Sequence, residues 1–344
     1  MALEKPLIRA PEFPPLPWLN SPDPLTMGGL RGRVVLLDVW DFTCINCLRT
    51  LPYLRAWWER YEDAGLSILG IHTPEFDFAH DRRHVAAAVG RLGIRWPVLL
   101  DNEQTVWTAL ANRYWPTIYL VDGAGYVRYR KAGEGGYAQT ELALQELLRE
   151  ISPDLQLPPV LDPLRAEDAP GAVCLRATPE LQAESLGNGQ ASPSPRAFEP
   201  PPTIQEDRFY LRGIWREGID GLTLVEGQGE ILLPFHAASI HVVLSPGPDP
   251  QSLPLDPVRV RVELDNQTLA PDHYGRDVFQ DNGQAWLRVD APRLFHLAAG
   301  LDSAEHVLRL HLADPGISFF AFSFDACLAS STSARTIPQE AKLC

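Results

Sequence analysis

The sequence predicts an α/β domain followed by an all-β sandwich of jelly-roll-like type. Three observations carry that expectation. Between residues 34 and 151, apolar strand runs alternate with amphipathic helix patterns, the order that builds an α/β sheet. From about residue 206 the hydrophobic period becomes two and no long helix pattern appears. Between the two, eleven prolines fall from Pro153 to Pro202 among Ser, Gly and Glu, a composition that reads as extended linker over 152–205.

The elements follow in order. Residues 1–33 are a Pro-rich extension. Val34 to Trp40 (VVLLDVW) is a near-continuous apolar run, the signature of a strand buried on both faces. Residues 44–63 read as a helix with Leu51, Leu54, Trp58 and Tyr61 as its buried stripe. Leu66 to Ile71 is a strand, and 78–92 reads as one helix ending at Gly93, a C-cap position. Val98 to Leu100 is a short strand, 104–114 a helix, and Thr117 to Val121 a strand. The turn Asp122-Gly123-Ala124-Gly125 leads into Tyr126–Arg130, and an amphipathic helix over 138–151 closes the half. In the second domain, 206–330, Val258–Leu264 alternates strictly and His306–Leu312 approximately. Ile231–Leu233, His241–Leu244 and Phe319–Phe324 are further strands. Residues 331–344 read as a C-terminal tail.

Composition narrows the function. The chain of 344 residues has 30 basic and 44 acidic side chains, a formal charge of −14. Residues 1–151 hold 16 basic and 18 acidic groups, and residues 152–344 hold 14 and 26. Neither half offers the basic face that nucleic acid or an anionic membrane requires. No apolar run approaches the length of a membrane span, and the N-terminus has no apolar core of a secretory leader. The expectation is therefore a cytoplasmic protein with no membrane span, or an extracytoplasmic one should a leader lie outside these residues. Five cysteines are too few for a disulfide-stapled scaffold.

The chemistry lies in Cys44-Ile45-Asn46-Cys47, where the first buried strand hands over to a helix. A C-x-x-C alone is ambiguous between half a zinc site, chance and a redox pair. Zinc would need two more ligands, and Cys174, Cys327 and Cys344 are isolated from one another. They read as buried or incidental thiols, and no metal or other cofactor is expected. At a helix N-terminus, free N–H groups and the macrodipole favour a thiolate on Cys44, with Cys47 one turn along. Four neighbours suit a redox dithiol. Asp38 places a carboxyl in the middle of the buried strand, a costly position without a task. Trp40 precedes the cysteines, Pro52 falls inside the helix, and Trp115-Pro116 opens a strand as a candidate cis peptide.

With these residues in place, 34–151 resembles a thioredoxin fold of the TlpA/ResA/redoxin type. The resemblance implies a strand with a buried acid, W-x-x-x-C-x-x-C, a kinked helix, an insertion helix and a cis-Pro beside the dithiol. Asp38, Trp40, Cys44, Cys47, Pro52 and Pro116 fall on those positions. The runs Gly70–Phe76 (GIHTPEF) and Tyr114-Trp115-Pro116 resemble more narrowly the soluble part of DipZ-type proteins and the NHL-repeat thioredoxin-like proteins. Gly213-Ile214-Trp215, Gly275–Val278 and Arg293–Leu297 resemble the carbohydrate-binding-module-like sandwich of the DipZ type. The resemblance implies a thiol–disulfide oxidoreductase in which Cys44 attacks a substrate disulfide and Cys47 resolves it, forming the redox-active Cys44–Cys47 disulfide. Asp38 and Glu75 are the acids that would move protons. Trp40, Ile45, Asn46, Trp115 and Pro116 would meet the substrate. The implied partners are a disulfide-containing protein and an upstream dithiol reductant.

Two alternatives remain at this stage. A thiol peroxidase would use Cys44 as a sulfenate, although Thr43 belongs to no Pro-x-x-x-Thr-x-x-Cys run. A binding module would use the sandwich to recognise a glycan or a protein. Asp272, His273, Tyr274, Asp277, Asp281 and Asn282 form a turn-rich cluster that suits calcium or sugar, and Trp215 and Trp286 would stack on sugar or fill the core. His80 and His84, four apart on the expected helix, read as surface residues.

Overall fold

The computed structural model describes residues 8–174, 176–186, 194–247, 257–302 and 304–328. Cys344 and the tail expected over 331–344 lie outside them. The described residues form two compact units, one within 8–75 and 79–170 and one within 76–78 and 171–328.

The first unit is α/β. Its strands are β1 (Ile8–Arg9), β2 (Trp18–Leu19), β3 (Val34–Trp40), β4 (Leu66–His72), β5 (Val98–Leu100), β6 (Thr117–Val121) and β7 (Tyr126–Ala132). They form one sheet in the order β1-β7-β6-β3-β4-β5-β2. β3, β4 and β5 run parallel, while β6 and β7 run antiparallel. The helices are α1 (Ile45–Tyr61), α2 (Arg82–Arg91), α3 (Thr105–Ala109) and α4 (Tyr137–Ile151). Central β3 is buried along its whole length, as its apolar run requires.

Several boundaries differ from the sequence expectation. The Pro-rich extension is part of the domain, since β1 and β2 edge the sheet and Phe13, Trp18 and Met27 enter its core. Trp57, not Trp58, is the fully buried tryptophan of α1, and Trp58 packs half-buried against Trp96. Either residue continues the stripe from Leu54, and the packing chooses. The helix expected over 78–92 breaks at Asp81, which accepts the Arg83 N–H at 2.8 Å and caps α2, so His80 lies in a preceding 3-10 turn. Helix α3 has five residues rather than eleven. Ala111 adopts φ +48°, and Asn112 turns inward to meet the Tyr119 hydroxyl at 3.0 Å. The expected linker is largely ordered. Residues 158–168 lie on the first unit, where Glu141 accepts the Leu161 N–H and Tyr53 Oη accepts the Leu164 N–H, each at 2.9 Å.

The second unit is all-β. Its strands are β8 (Val173–Cys174), β9 (Leu181–Gln182), β10 (Arg196–Phe198), β11 (Tyr210–Glu217), β12 (Leu222–Phe235), β13 (Ser239–Pro246), β14 (Val258–Leu264), β15 (Gln267–Thr268), β16 (Val278–Asp281), β17 (Gln284–Val289), β18 (Arg293–Ala299), β19 (His306–Leu312), β20 (Ile317–Asp325) and β21 (Cys327–Leu328). Twelve of them, β9 to β20, form an antiparallel sheet whose main path is β16-β17-β14-β19-β12-β20-β13-β18. The path curls until its ends nearly meet, through a Tyr274–Ala298 bridge and the Gly275 N–H donated to Leu297 O at 2.9 Å. Gly275 passes so close to the His296 carbonyl that an added Cβ would stand 2.2 Å from it, so only glycine fits. Inward-facing Val, Leu and Phe side chains fill the interior around Trp215, which is fully buried.

Cys174 and Cys327 are not free thiols. They form a disulfide across the β8–β21 pair, 153 residues apart in sequence. The antiparallel register sets them directly opposite each other, which no local spacing reveals.

Candidate active site

The site is built where β3 ends. Cys44 is the N-cap of α1, and its Sγ accepts the Cys47 N–H at 3.2 Å. Both cysteines are thiols; Cys44 is half-buried and Cys47 is 2% exposed. The helix continues through Pro52 over Ile45–Tyr61, although proline supplies no N–H there. On β3, Asp38 lies beneath the dithiol at 2% exposure, and its Oδ1 has no hydrogen-bond partner among the described residues. Burial pushes that carboxyl up to about 8. Burial also drives the Cys47 thiol well above its ordinary value, and the Cys44 thiol and the Asp38 carboxylate add to the rise.

Cys44 departs from the expectation of a helix-stabilised thiolate. Burial raises its thiol above the ordinary value, and Glu75 and Asp41 raise it further, against the lowering contacts from Cys47. Burial and these two carboxylates thus act against the helix N-terminus at Cys44.

The other residues expected at the site divide. Glu75 is half-buried, and its backbone N–H is donated to Asp41 Oδ2 at 3.1 Å. Asn46 is half-buried and accepts from Arg49 at 3.1 Å, and Arg49 pairs with Glu134 at 2.8 Å. The Trp115–Pro116 bond is cis. Pro116 precedes β6, whose Thr117 and Ile118 pair with Val39 and Asp38, so it stands at the same end of the sheet as the dithiol. Trp115 donates from Nε1 to Thr73 O at 3.0 Å and packs on Trp107. Trp40 and Ile45 need correction. At 1% and 5% exposure they offer no surface to a substrate, because the strand and the first helical turn aim them into the core. Trp40 instead meets His72 edge-on.

Sequence reasoning missed two buried residues. Asp41 and His72 are both 0% exposed, with His72 Nε2 3.4 Å from Asp41 Oδ2. Burial alone would raise the Asp41 carboxyl, but His72 and the two bonds from Thr43 outweigh it and hold the group below the usual carboxylate range. The signal lay in the Trp40-Asp41-Phe42-Thr43 run, where an acid stands between aromatics.

In the β unit the expected ligand cluster disperses. Asp277 accepts from Arg293 and from the His296 N–H, each at 2.8 Å, and Asp281 pairs with Arg259 at 2.7 Å. No group of three His, Cys, Asp or Glu suited to a metal occurs among the described residues, and His80 and His84 stand on separate elements. Among the described residues no helix is long and apolar enough to cross a membrane.

Comparison with known proteins agrees with this architecture. The AhpC/TSA family model matches residues 11–130, and a model described as a thioredoxin like C-terminal domain matches residues 180–325. Residues 11–130 are therefore similar to the thioredoxin-like redoxins. Protein DipZ of Mycobacterium tuberculosis (strain CDC 1551 / Oshkosh) is 37% identical over 235 residues, covering 66% of this chain and 33% of DipZ. The chain thus spans about a third of that relative. The thiol-disulfide oxidoreductase ResA of Bacillus anthracis is 29% identical over 124 residues, covering 36% of this chain and 66% of ResA. Among solved structures, the thioredoxin-like superfamily protein SPOA0173 is 24% identical with a TM-score of 0.40, covering 44% of this chain and 99% of that one.

Proposed function

We propose that this protein is a thiol–disulfide oxidoreductase working in the reducing direction on protein disulfides. The observation that carries it is the free Cys44–Cys47 pair capping α1 above the buried Asp38. Cys44, once deprotonated, attacks a substrate disulfide and one substrate sulfur leaves as a thiolate. Cys47 then attacks Cys44 Sγ, giving up its proton toward Asp38, and the second substrate sulfur is released. Two electrons pass to the substrate, and Cys44–Cys47 ends as a disulfide. An upstream dithiol must return them. A carboxyl held near 8 exchanges a proton readily at neutral pH, which suits Asp38 to this relay.

The raised thiols support the reducing direction. Burial above all, with Glu75 and Asp41 beside Cys44, disfavours thiolates at the pair, so the oxidised form is favoured and electrons leave readily. The same raised thiol argues against a peroxidase, which needs a ready thiolate. Insulin reduction tests the reading. Cys44→Ser should abolish it, and Cys47→Ser should accumulate a mixed disulfide. Turnover by both variants would overturn it, and peroxide consumption without insulin reduction would favour the peroxidase.

The Cys174–Cys327 disulfide supports an oxidising, extracytoplasmic setting over the cytoplasmic one expected from the N-terminus. Fractionation with alkylation of free thiols checks both points. A glycan at the β unit is a second reading. Phe279 is 38% exposed, and Arg259 lies over both Phe279 and Trp286, at 5.3 and 4.4 Å from their ring centres. A glycan array with Trp286→Ala as control tests it.

A further inference from the structure

We propose that Asp41 is a positioning residue for the dithiol: its buried carboxylate, backed by His72, ties the loop carrying Cys44 to the loop carrying Glu75. The proposal rests on the oxidoreductase reading, but its test reads the thiol rather than turnover.

The geometry joins two segments that are distant in sequence. On the Cys44 side, Asp41 Oδ1 accepts the Thr43 N–H at 2.6 Å and the Thr43 hydroxyl. On the Glu75 side, Oδ2 accepts the Glu75 N–H at 3.1 Å and faces His72 Nε2 at 3.4 Å. One carboxylate therefore holds the residue before the nucleophile with one oxygen and the Glu75 backbone with the other. Its burial makes the arrangement rigid, because a carboxylate removed from water is tolerable only with such partners. His72 is itself fixed, stacked on Phe42 at 5.6 Å with Trp40 edge-on at 5.5 Å.

The consequence is control of the charge beside Cys44. The groups acting on that thiol are Cys47, Glu75 and Asp41, with Asp38 acting on Cys47 behind it. Asp41 contributes its own charge and also sets where Glu75 sits. In Asp41→Asn the amide keeps an oxygen for Thr43, but its NH2 cannot accept the Glu75 N–H.

The experiment is a double-mutant cycle in the full chain. Cys47→Ser and Cys344→Ser are introduced throughout, so that Cys44 is the titrating thiol. Iodoacetamide alkylation against pH and thiolate absorbance near 240 nm report Cys44. Glu75→Gln and Asp41→Asn should each speed alkylation at pH 7, by about threefold to tenfold, as expected for a fall of roughly half to one pKa unit. Combined, they should react within about twofold of Asp41→Asn alone, because the released loop no longer presents Glu75. His72→Gln should likewise shrink the Glu75→Gln effect to within about twofold. Thermal melts confirm folding, and if Asp41→Asn does not fold, the His72→Gln cycle decides. A full-sized Glu75→Gln effect in both backgrounds would overturn the proposal. Insulin reduction by the wild-type chain judges the oxidoreductase reading separately.

Discussion

The two units each hold one pair of cysteines, and the pairs are opposites. Cys44 and Cys47 are three residues apart, face each other across one helical turn and remain thiols. Cys174 and Cys327 are 153 residues apart, meet only through strand register and are joined. The α/β unit surrounds its pair with Asp38, Asp41 and Glu75 and leaves Cys44 half-buried, which suits exchange. The β unit uses its pair to link the strands that open and close it, which suits permanence. Proximity in sequence makes a pair chemically responsive, and distance makes it a constraint on the unfolded chain.

Four measurements would break or sharpen that contrast. The largest effect belongs to Cys44→Ser, which should reduce insulin turnover to background and leave the melting of the β unit unchanged. Replacing Cys174 and Cys327 together by serine should do the reverse. Closing so long a loop is worth about 5 kcal/mol in the chain-entropy view, so the β unit should melt well below the wild type while Cys44 chemistry persists. Loss of both properties in either variant would dissolve the contrast.

Asp38 gives a smaller, pH-dependent effect. Its folded pKa is raised from 3.8 to about 8, so between those values the folded protein holds a proton that the unfolded chain has lost. Stability should fall as pH rises through that window, by at most about 1.4 kcal/mol per unit, and level off above about 8. Asp38→Asn should remove this slope and stabilise the chain at pH 8, while slowing release of the mixed disulfide. Denaturant unfolding at several pH values, with stopped-flow insulin reduction, reads both. The smallest effect is Tyr53→Phe. Its hydroxyl donates to Asp168 at 2.8 Å and accepts from Leu164, so its loss should cost about 1 to 2 kcal/mol of the α/β unit and loosen residues 164–168. Hydrogen exchange of that segment would show it.

Much of the site was legible because it is local. A buried apolar run interrupted by Asp38, then C-x-x-C at a helix start, needs only neighbours in sequence to be read. The strands β3, β4, β5 and β6 were placed nearly to the residue for the same reason: continuous apolar character survives in any context that buries both faces. What was misread depends on the third dimension. Trp57 and Trp58 are equivalent in the helical pattern until Trp96 packs beside one of them. A Pro-rich start carries no strand signal, yet sheet edges at β5 and β7 accept two-residue strands from it.

By itself, the sequence determined the order of the two folds, the dithiol at Cys44 and Cys47, the acid beneath it and the proline at Pro116. Tertiary structure decided the rest. It joined Cys174 to Cys327, closed Asp41 on His72 and Glu75, and set the sign of the Cys44 shift. The physical reason is range. Backbone pattern and helix capping act over a few residues, whereas register pairing, desolvation and the field of several carboxylates exist only once distant segments share one dry volume.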